Sequence, residues 1–130
     1  NSIMILINFN YMKKLFLVVF FTLFSANVFA HGCVGQPCDI FIRDGKFESG
    51  AMQKVEGEEC LFNIKANKKH RLKVCNLDKK TVEFESHDLK IEKFIKGDAH
   101  VTLKIKKLKK GKTYKFEEEF GGQHCKFMAI

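Results

Sequence analysis

Proline and tryptophan are nearly missing from this sequence, which has one proline and no tryptophan in 130 residues. So little proline excludes long proline-rich linkers. The chain also has no Gly-x-Ser-x-Gly motif and no phosphate-binding loop, so it carries no signature of a serine hydrolase or a nucleotide-binding enzyme. No segment after residue 30 sustains a 3.6-residue apolar period, which argues against amphipathic helices. These absences leave a compact fold built from strands.

The first thirty residues are predicted to precede the folded domain. Residues 1–11 lie before Met12 and are interpreted as translated upstream sequence. Residues 12–30 have the layout of a signal peptide, with two lysines, an apolar run and a final "VFA". We expect cleavage after Ala30, an uncleaved anchor being the alternative. Residues 31–130 would then form one exported domain, periplasmic or secreted, with no integral membrane segment of its own.

The charge of the chain is basic. The formal net charge of +8 falls to about +6 when the two lysines of the signal segment are removed. No nucleic-acid recognition motif accompanies this charge, and export separates the domain from most nucleic acid, so we expect no nucleic-acid partner. A dense lysine run over residues 104–115 alternates with apolar residues. This alternation predicts a solvated strand face, and a docking patch for an acidic partner is the alternative.

All five cysteines lie after residue 30, at positions 33, 38, 60, 75 and 125. An oxidising compartment favours disulfides, and the odd number leaves at least one cysteine outside such pairs. We predict two disulfides. The segment "CVGQPC" either closes a short loop by itself or links the N-terminal arm to strands.

Short segments with period-two alternation follow one another along residues 40–130. They read "DIFIRDGKF", "LFNIKA", "HRLKVCN", "TVEFES", "HVTLKIKKL", "TYKFEEEF" and, as a final strand, "KFMAI". Turn signals such as Asp44-Gly45 and Gly121-Gly122 separate them. The polar stretch "MQKVEGEEC" is interpreted as a loop. Short strands with one apolar face each predict an all-β fold, an antiparallel β-sandwich.

The order of several motifs resembles a known family. Asn76-Leu77-Asp78 ends a strand, and "EFES", "EK", a Leu-Lys-Lys-Gly-Lys-Thr-Tyr-Lys-Phe pattern and "EF" follow in that order. This series resembles the cupredoxin-like domains of bacterial periplasmic proteins linked to iron and copper uptake. The resemblance covers roughly residues 40–120 and implies a Greek-key cupredoxin-like β-sandwich.

The resemblance also implies where a metal would bind. Mononuclear copper cupredoxins use two His, one Cys and a weak axial Met. The matching positions here hold Glu83, Glu118 and Gly121, with Met128 as a loose counterpart of the axial ligand. The blue-copper ligand set is therefore absent, and the imidazole nearest to Gly121 in sequence is His124. The resemblance implies a copper or iron site built from Glu83, Glu118 and His124.

Other histidines and acidic residues are also candidate metal ligands. Glu119 and His87 are reserve ligands, and His31 would chelate copper through its imidazole and α-amine if cleavage exposes it as the N-terminus. His70 and His100 are predicted to be exposed on lysine-rich strands. In the alternative interpretation, the glutamates on the outward faces of two strands only pair with the lysine face; they are Glu83, Glu85, Glu117 and Glu119.

The leading hypothesis is an exported cupredoxin-like protein that binds copper or iron for metal handling or electron transfer. Its expected partner is a membrane metal-uptake permease or a periplasmic metal-binding protein. The second hypothesis is a metal-free, disulfide-stabilised β-sandwich that binds a protein partner through its lysine face. The third is an enzyme, a ferroxidase-like metal oxidant, for which the sequence offers no intact redox ligand set.

Overall fold

The computed structural model describes residues 32–130, which contain nine strands and no helix. The strands are β1 (Ile40–Arg43), β2 (Lys46–Ser49), β3 (Leu61–Ile64), β4 (His70–Asn76), β5 (Val82–Ser86), β6 (Ile91–Ile95), β7 (His100–Ile105), β8 (Thr113–Glu118) and β9 (Gln123–Ala129). The predicted upstream sequence, the signal peptide and His31 lie outside the described residues. Among residues 32–130, no helix has the length and apolarity required to cross a membrane.

The strands form two sheets. One has four strands in the order β2-β1-β4-β7, and the other has five in the order β3-β9-β8-β5-β6. This confirms the predicted all-β sandwich. It corrects the expectation of purely antiparallel pairing, because β1 pairs with β4 and β3 with β9 in parallel. Both parallel pairs join strands distant in sequence, as parallel pairing requires a long connection.

Alternation along the strands builds the core between the sheets. Phe116 of β8 lies at its centre and stacks on Phe127 and Phe84, with ring centroids 4.3 and 5.1 Å away. Phe47 meets Phe116 edge-on at 5.0 Å, and Phe62 lies 6.2 Å away. All five rings are at most 2% exposed. A rigid aromatic core therefore supports both outer faces of the sandwich.

Local sequence explains most strand ends. Asp44 and Gly45 adopt left-handed conformations, with φ of 53° and 70°, and close the β1–β2 hairpin as predicted. The final strand begins at Gln123, three residues earlier than predicted. Strand β6 was not predicted, because three of its five residues are exposed in a row and no alternation marks it. The "MQKVEGEEC" loop is confirmed, apart from one isolated bridge at Lys54.

Two disulfides form, as predicted. Cys38 bonds to Cys75 and so links the N-terminal arm to β4, whereas Cys60 bonds to Cys125 and links the start of β3 to β9. The segment "CVGQPC" does not close a loop by itself, because Cys33 is buried and free. Two disulfides fit an oxidising compartment.

Candidate metal centre

The outer face of the five-stranded sheet carries a row of polar side chains across three strands. Glu85 of β5 lies opposite Glu117 of β8, and Glu117 lies opposite His124 of β9. Residues directly opposite each other project to the same face of a sheet. Their strand neighbours Phe84 and Glu118 project to the core face instead. The row therefore follows from strand register and alternation.

Glu119 and His87 complete this group, which is called the outer-face cluster below. Glu85, Glu117 and Glu119 each place a carboxylate oxygen within 4.8 Å of the others. His87 Nε2 is 3.2 Å from Glu85 Oε1, and His124 Nδ1 is 3.1 Å from Glu117 Oε2. Three carboxylates thus converge on one patch of the sheet, and each histidine lies beside one of them.

The patch is concave. A depression of about 310 Å³ is lined by both histidines of the cluster together with Glu85 and Glu117. Exposure decreases toward its floor, since the side chain of His87 is 90% exposed and that of Glu85 is 19% exposed. An ion seated here would contact Glu85 and Glu117, which β5 and β8 hold in place, whereas His87 lies in the turn after β5.

Like charges in the cluster shift one another's pKa values. A hydrogen bond with Glu119, together with burial, raises the pKa of Glu85 to about 7. The same hydrogen bond, and a second one with Glu117, lower the pKa of Glu119. Burial and repulsion by Glu92 raise the pKa of Glu83 on the same face. Carboxylates this close repel one another unless a proton or a cation lies between them.

Glu118 has a different environment from the cluster. It is 1% exposed on the core side of β8. Its Oε1 accepts hydrogen bonds from the backbone N–H groups of Glu83 and Phe120, each at 3.2 Å, and its Oε2 accepts one from Gly121. These three donors satisfy a buried carboxylate that would otherwise be costly. The carboxylate therefore holds the turn after β8.

The structure separates the three ligands that the resemblance implied. The carboxylate of Glu118 lies on the core face, whereas Glu83 and His124 lie on the outer face. A Cβ on Gly121 would come within 2.8 Å of the carbonyl oxygen of Gly45, so no histidine fits at this position of the turn. The end of the sandwich that would hold a blue-copper ion has a depression of about 510 Å³ beside Glu118 and Gly121, but no histidine or cysteine of residues 32–130 lines it. The residues present there do not fit that ion.

The remaining predicted ligands lie around the cluster or away from it. Glu83 is buried on the outer face, across from Phe94 of β6. Met128 also lies on the outer face of β9, but four residues beyond His124, about 13 Å along the strand. The sequence analysis named His87 and Glu119 only as reserve metal ligands. The structure places both in the outer-face cluster.

Glu85 and Glu117 were not among the predicted ligands. Strand alternation could have pointed to them, because "EFES" and "FEEEF" each place two glutamates on one strand face. The alternative interpretation paired these acids with lysines. Within residues 32–130, the basic side chains within 4 Å of Glu85 and Glu117 are His87 and His124. Most of the lysine run lies on β7 and the connection to β8, so strand order keeps it from them.

Comparison with known proteins gives one family. A family model described as a cupredoxin-like domain matches residues 14–129. No curated protein matches the chain significantly.

Proposed function

The chain belongs to the cupredoxin-like domain family, and we propose that it is an exported protein that binds a copper or iron ion at the outer-face cluster. The convergence of Glu85, Glu117 and Glu119 with His87 and His124 carries this proposal. The ion would neutralise the repulsion between the carboxylates and would displace the proton that Glu85 carries below its raised pKa. The three carboxylates would supply the first ligands, and the two histidines flank them, each beside one carboxylate.

The ligand set favours particular oxidation states. Carboxylate and imidazole donors suit Cu(II), Fe, Zn or Mn, whereas Cu(I) prefers thiolate and thioether sulfur. The cluster contains no sulfur, and its nearest methionine in β9 lies about 13 Å away along the strand. This donor set supports metal handling over blue-copper electron transfer. In this proposal the protein handles metal that is taken up across a membrane, and its partner is a permease or a periplasmic metal-binding protein.

Metal retention tests the proposal directly. The exported protein is incubated with Cu(II) or Fe(II), desalted and analysed for bound metal. We expect about one ion per chain, and we expect Glu85→Gln/Glu117→Gln to lose it. The control Glu48→Gln/Glu56→Gln removes two acids outside the cluster and should bind like the wild type. Retention of no metal by the wild type, or equal retention by both double variants, would contradict the proposal.

Histidine variants give an independent check. His87→Ala/His124→Ala should weaken binding, while His70→Ala, which removes an exposed imidazole bonded to the Lys65 carbonyl, should not. The same samples test the ferroxidase-like hypothesis. Oxidation of Fe(II) no faster than in buffer would exclude it.

A metal-free protein-binding module is the alternative function, and one observation favours it. Phe94 and Phe120 are 56% and 62% exposed, and their ring centroids lie 6.4 Å apart. Exposed aromatic pairs are typical of protein contact sites. If the wild type retains no metal and Phe94→Ser/Phe120→Ser abolishes co-purification with an uptake permease, this alternative replaces the metal proposal.

A further inference from the structure

A second group of metal-ligating side chains lies on the outer face of the four-stranded sheet. Cys75 of β4 and His100 of β7 are direct partners in an antiparallel pair. Both alternate with core residues, Val74 on β4 and Val101 on β7, so both project outward. Directly opposed residues have Cβ atoms about 5 Å apart. A sulfur and an imidazole are therefore neighbours on this face.

Cys33 brings a free thiol to the same place. Its Sγ donates to the carbonyl oxygens of Ala99 at 3.1 Å and Asn76 at 3.5 Å. These two residues directly adjoin His100 and Cys75 in the sequence, so the thiol lies over the β4–β7 pair. Its backbone N–H is held in addition by the Asp98 carboxylate at 3.1 Å.

Cys38 completes the group through its bond to Cys75. The sulfur-bearing side chains of Cys33, Cys38 and Cys75 pack in one buried cluster, which is separate from the main core. The three segments that supply the group are the N-terminal arm, β4 and β7. The Cys38–Cys75 disulfide accounts for two of these three cysteines, and it does not explain why Cys33 lies beside them.

His100 supplies an independent observation. Its Nδ1 is buried and has no hydrogen-bond partner among the described residues. A buried nitrogen without a partner costs about 1–3 kcal/mol, so such groups are uncommon unless they have a function. The sequence predicted this histidine to be exposed, whereas it is half-buried, because the N-terminal arm, fixed by Cys33 and Cys38, runs over this end of the sheet.

We propose that Cys33, Cys38, Cys75 and His100 form a binding site for one soft or borderline metal ion, Cu(I) or Zn(II), when the Cys38–Cys75 disulfide is reduced. Three thiolates and one imidazole are a tetrahedral ligand set for Zn(II), and thiolate also suits Cu(I). The site lies on the opposite sheet from the outer-face cluster and differs from it in donor chemistry. The disulfide is the oxidised, metal-free form of the site.

The conversion between the two forms balances as a thiol–disulfide exchange. A dithiol reductant attacks the Cys38–Cys75 bond, releases two thiols and leaves as its own disulfide. The metal then replaces the protons of the three thiols and binds the unprotonated nitrogen of His100. A small disulfide oxidant reverses the step, because it accepts two electrons and leaves as a dithiol while the Cys38–Cys75 bond re-forms and the ion is released.

Co(II) is a suitable probe, because thiolate ligands give it intense charge-transfer absorbance. The protein is reduced with a phosphine, freed of reductant under nitrogen and titrated with Co(II), then with Zn(II) as competitor. We expect one Co(II) bound through thiolates. Cys33→Ser and His100→Ala should each weaken binding by more than the roughly 10- to 100-fold that loss of an outer-shell partner causes.

The second disulfide provides the matched control. Cys60→Ser/Cys125→Ser removes two thiols that have no third cysteine beside them, so it should keep the Co(II)–thiolate absorbance. Glu85→Gln/Glu117→Gln should keep the Co(II)–thiolate absorbance as well. This variant therefore distinguishes a failure of the cysteine site from a failure of the outer-face cluster proposed above. Wild-type binding without thiolate absorbance, or unchanged absorbance in Cys33→Ser, would overturn the proposal.

A further variant covers the case in which reduction unfolds the chain. Cys38→Ser leaves Cys33 and Cys75 free while the Cys60–Cys125 bond stays intact. Mild oxidation should then produce a Cys33–Cys75 disulfide, identified by peptide mapping. Its absence in folded protein would show that the thiols do not meet and would refute the site.

Discussion

Replacement of Glu118 tests whether its carboxylate stabilises the fold or binds metal. Its two oxygens accept three backbone hydrogen bonds in a site that is 1% exposed. Glu118→Gln keeps the shape of the side chain but turns an NH₂ group toward at least one of these donors. Glu118→Ala leaves all three donors without an acceptor. Both variants should therefore unfold more easily than the wild type, and the alanine variant should be the less stable.

The size of the effect follows from the hydrogen bonds. A hydrogen bond to a charged group contributes about 1.5–3 kcal/mol, and an unsatisfied buried donor costs about 1–3 kcal/mol. Loss of one bond in Glu118→Gln should cost about 1.5–3 kcal/mol. Glu118→Ala should cost about 3–5 kcal/mol, less than three independent bonds, because water can enter the space that the side chain leaves.

Urea unfolding with the disulfides intact measures these differences. Far-ultraviolet circular dichroism is the suitable signal, because the chain has no tryptophan. Glu48→Gln is the control; it breaks an exposed ion pair with Arg43 and should cost no more than about 1 kcal/mol. If Glu118→Gln matches the wild type in stability but binds metal more weakly, Glu118 is a ligand and the structural interpretation is wrong.

Three further predictions concern the cluster, the disulfides and the core. The pKa of Glu85 is raised to about 7 in the folded protein, so its protonated form stabilises the fold below pH about 4.5 and this contribution is lost as the pH rises through about 7. Metal must displace that proton, so affinity should fall as the pH drops below about 7, and Glu85→Gln, measured by titration at several pH values, should flatten this dependence. Cys60→Ser/Cys125→Ser should lower the free energy of unfolding by about 2–5 kcal/mol, because it frees a loop with a sequence separation of 65; an unchanged urea midpoint would contradict this. Phe116→Ala removes the central ring of the core and should cost about 3–5 kcal/mol by the same urea assay, whereas a loss below 1 kcal/mol would mean that the aromatic stack contributes little.

Much of the fold could be predicted because strand alternation is a local property. A strand with one buried face places mostly apolar residues at every second position, as "HVTLKI" does with Val101, Leu103 and Ile105. Strand β6 could not be found in this way. Its middle residues face solvent, and it forms because backbone groups of Ile91–Ile95 pair with β5 across a tight turn. Pairing of this kind leaves no periodic trace in the sequence.

The candidate site was also predicted only in part from the sequence. Parity along β8 put Glu118 toward the core and Glu117 and Glu119 outward, and the structure agrees. Parity does not say which strands are neighbours, so the sequence did not reveal that Glu85 lies opposite Glu117. Alignment of motifs with the family grouped Glu83 with Glu118, although their side chains project to opposite faces.

The sequence by itself determined the class of fold, the direction in which residues of the predicted strands project and the presence of an unpaired cysteine, because these depend on periodicity and on an odd count. Only the tertiary structure decided which residues meet. The order β9-β8-β5 brings His124, Glu117 and Glu85 into one row, and the pairing of β4 with β7 brings His100 beside Cys75. Strand order results from burial of the whole core at once, so no short stretch of sequence contains it.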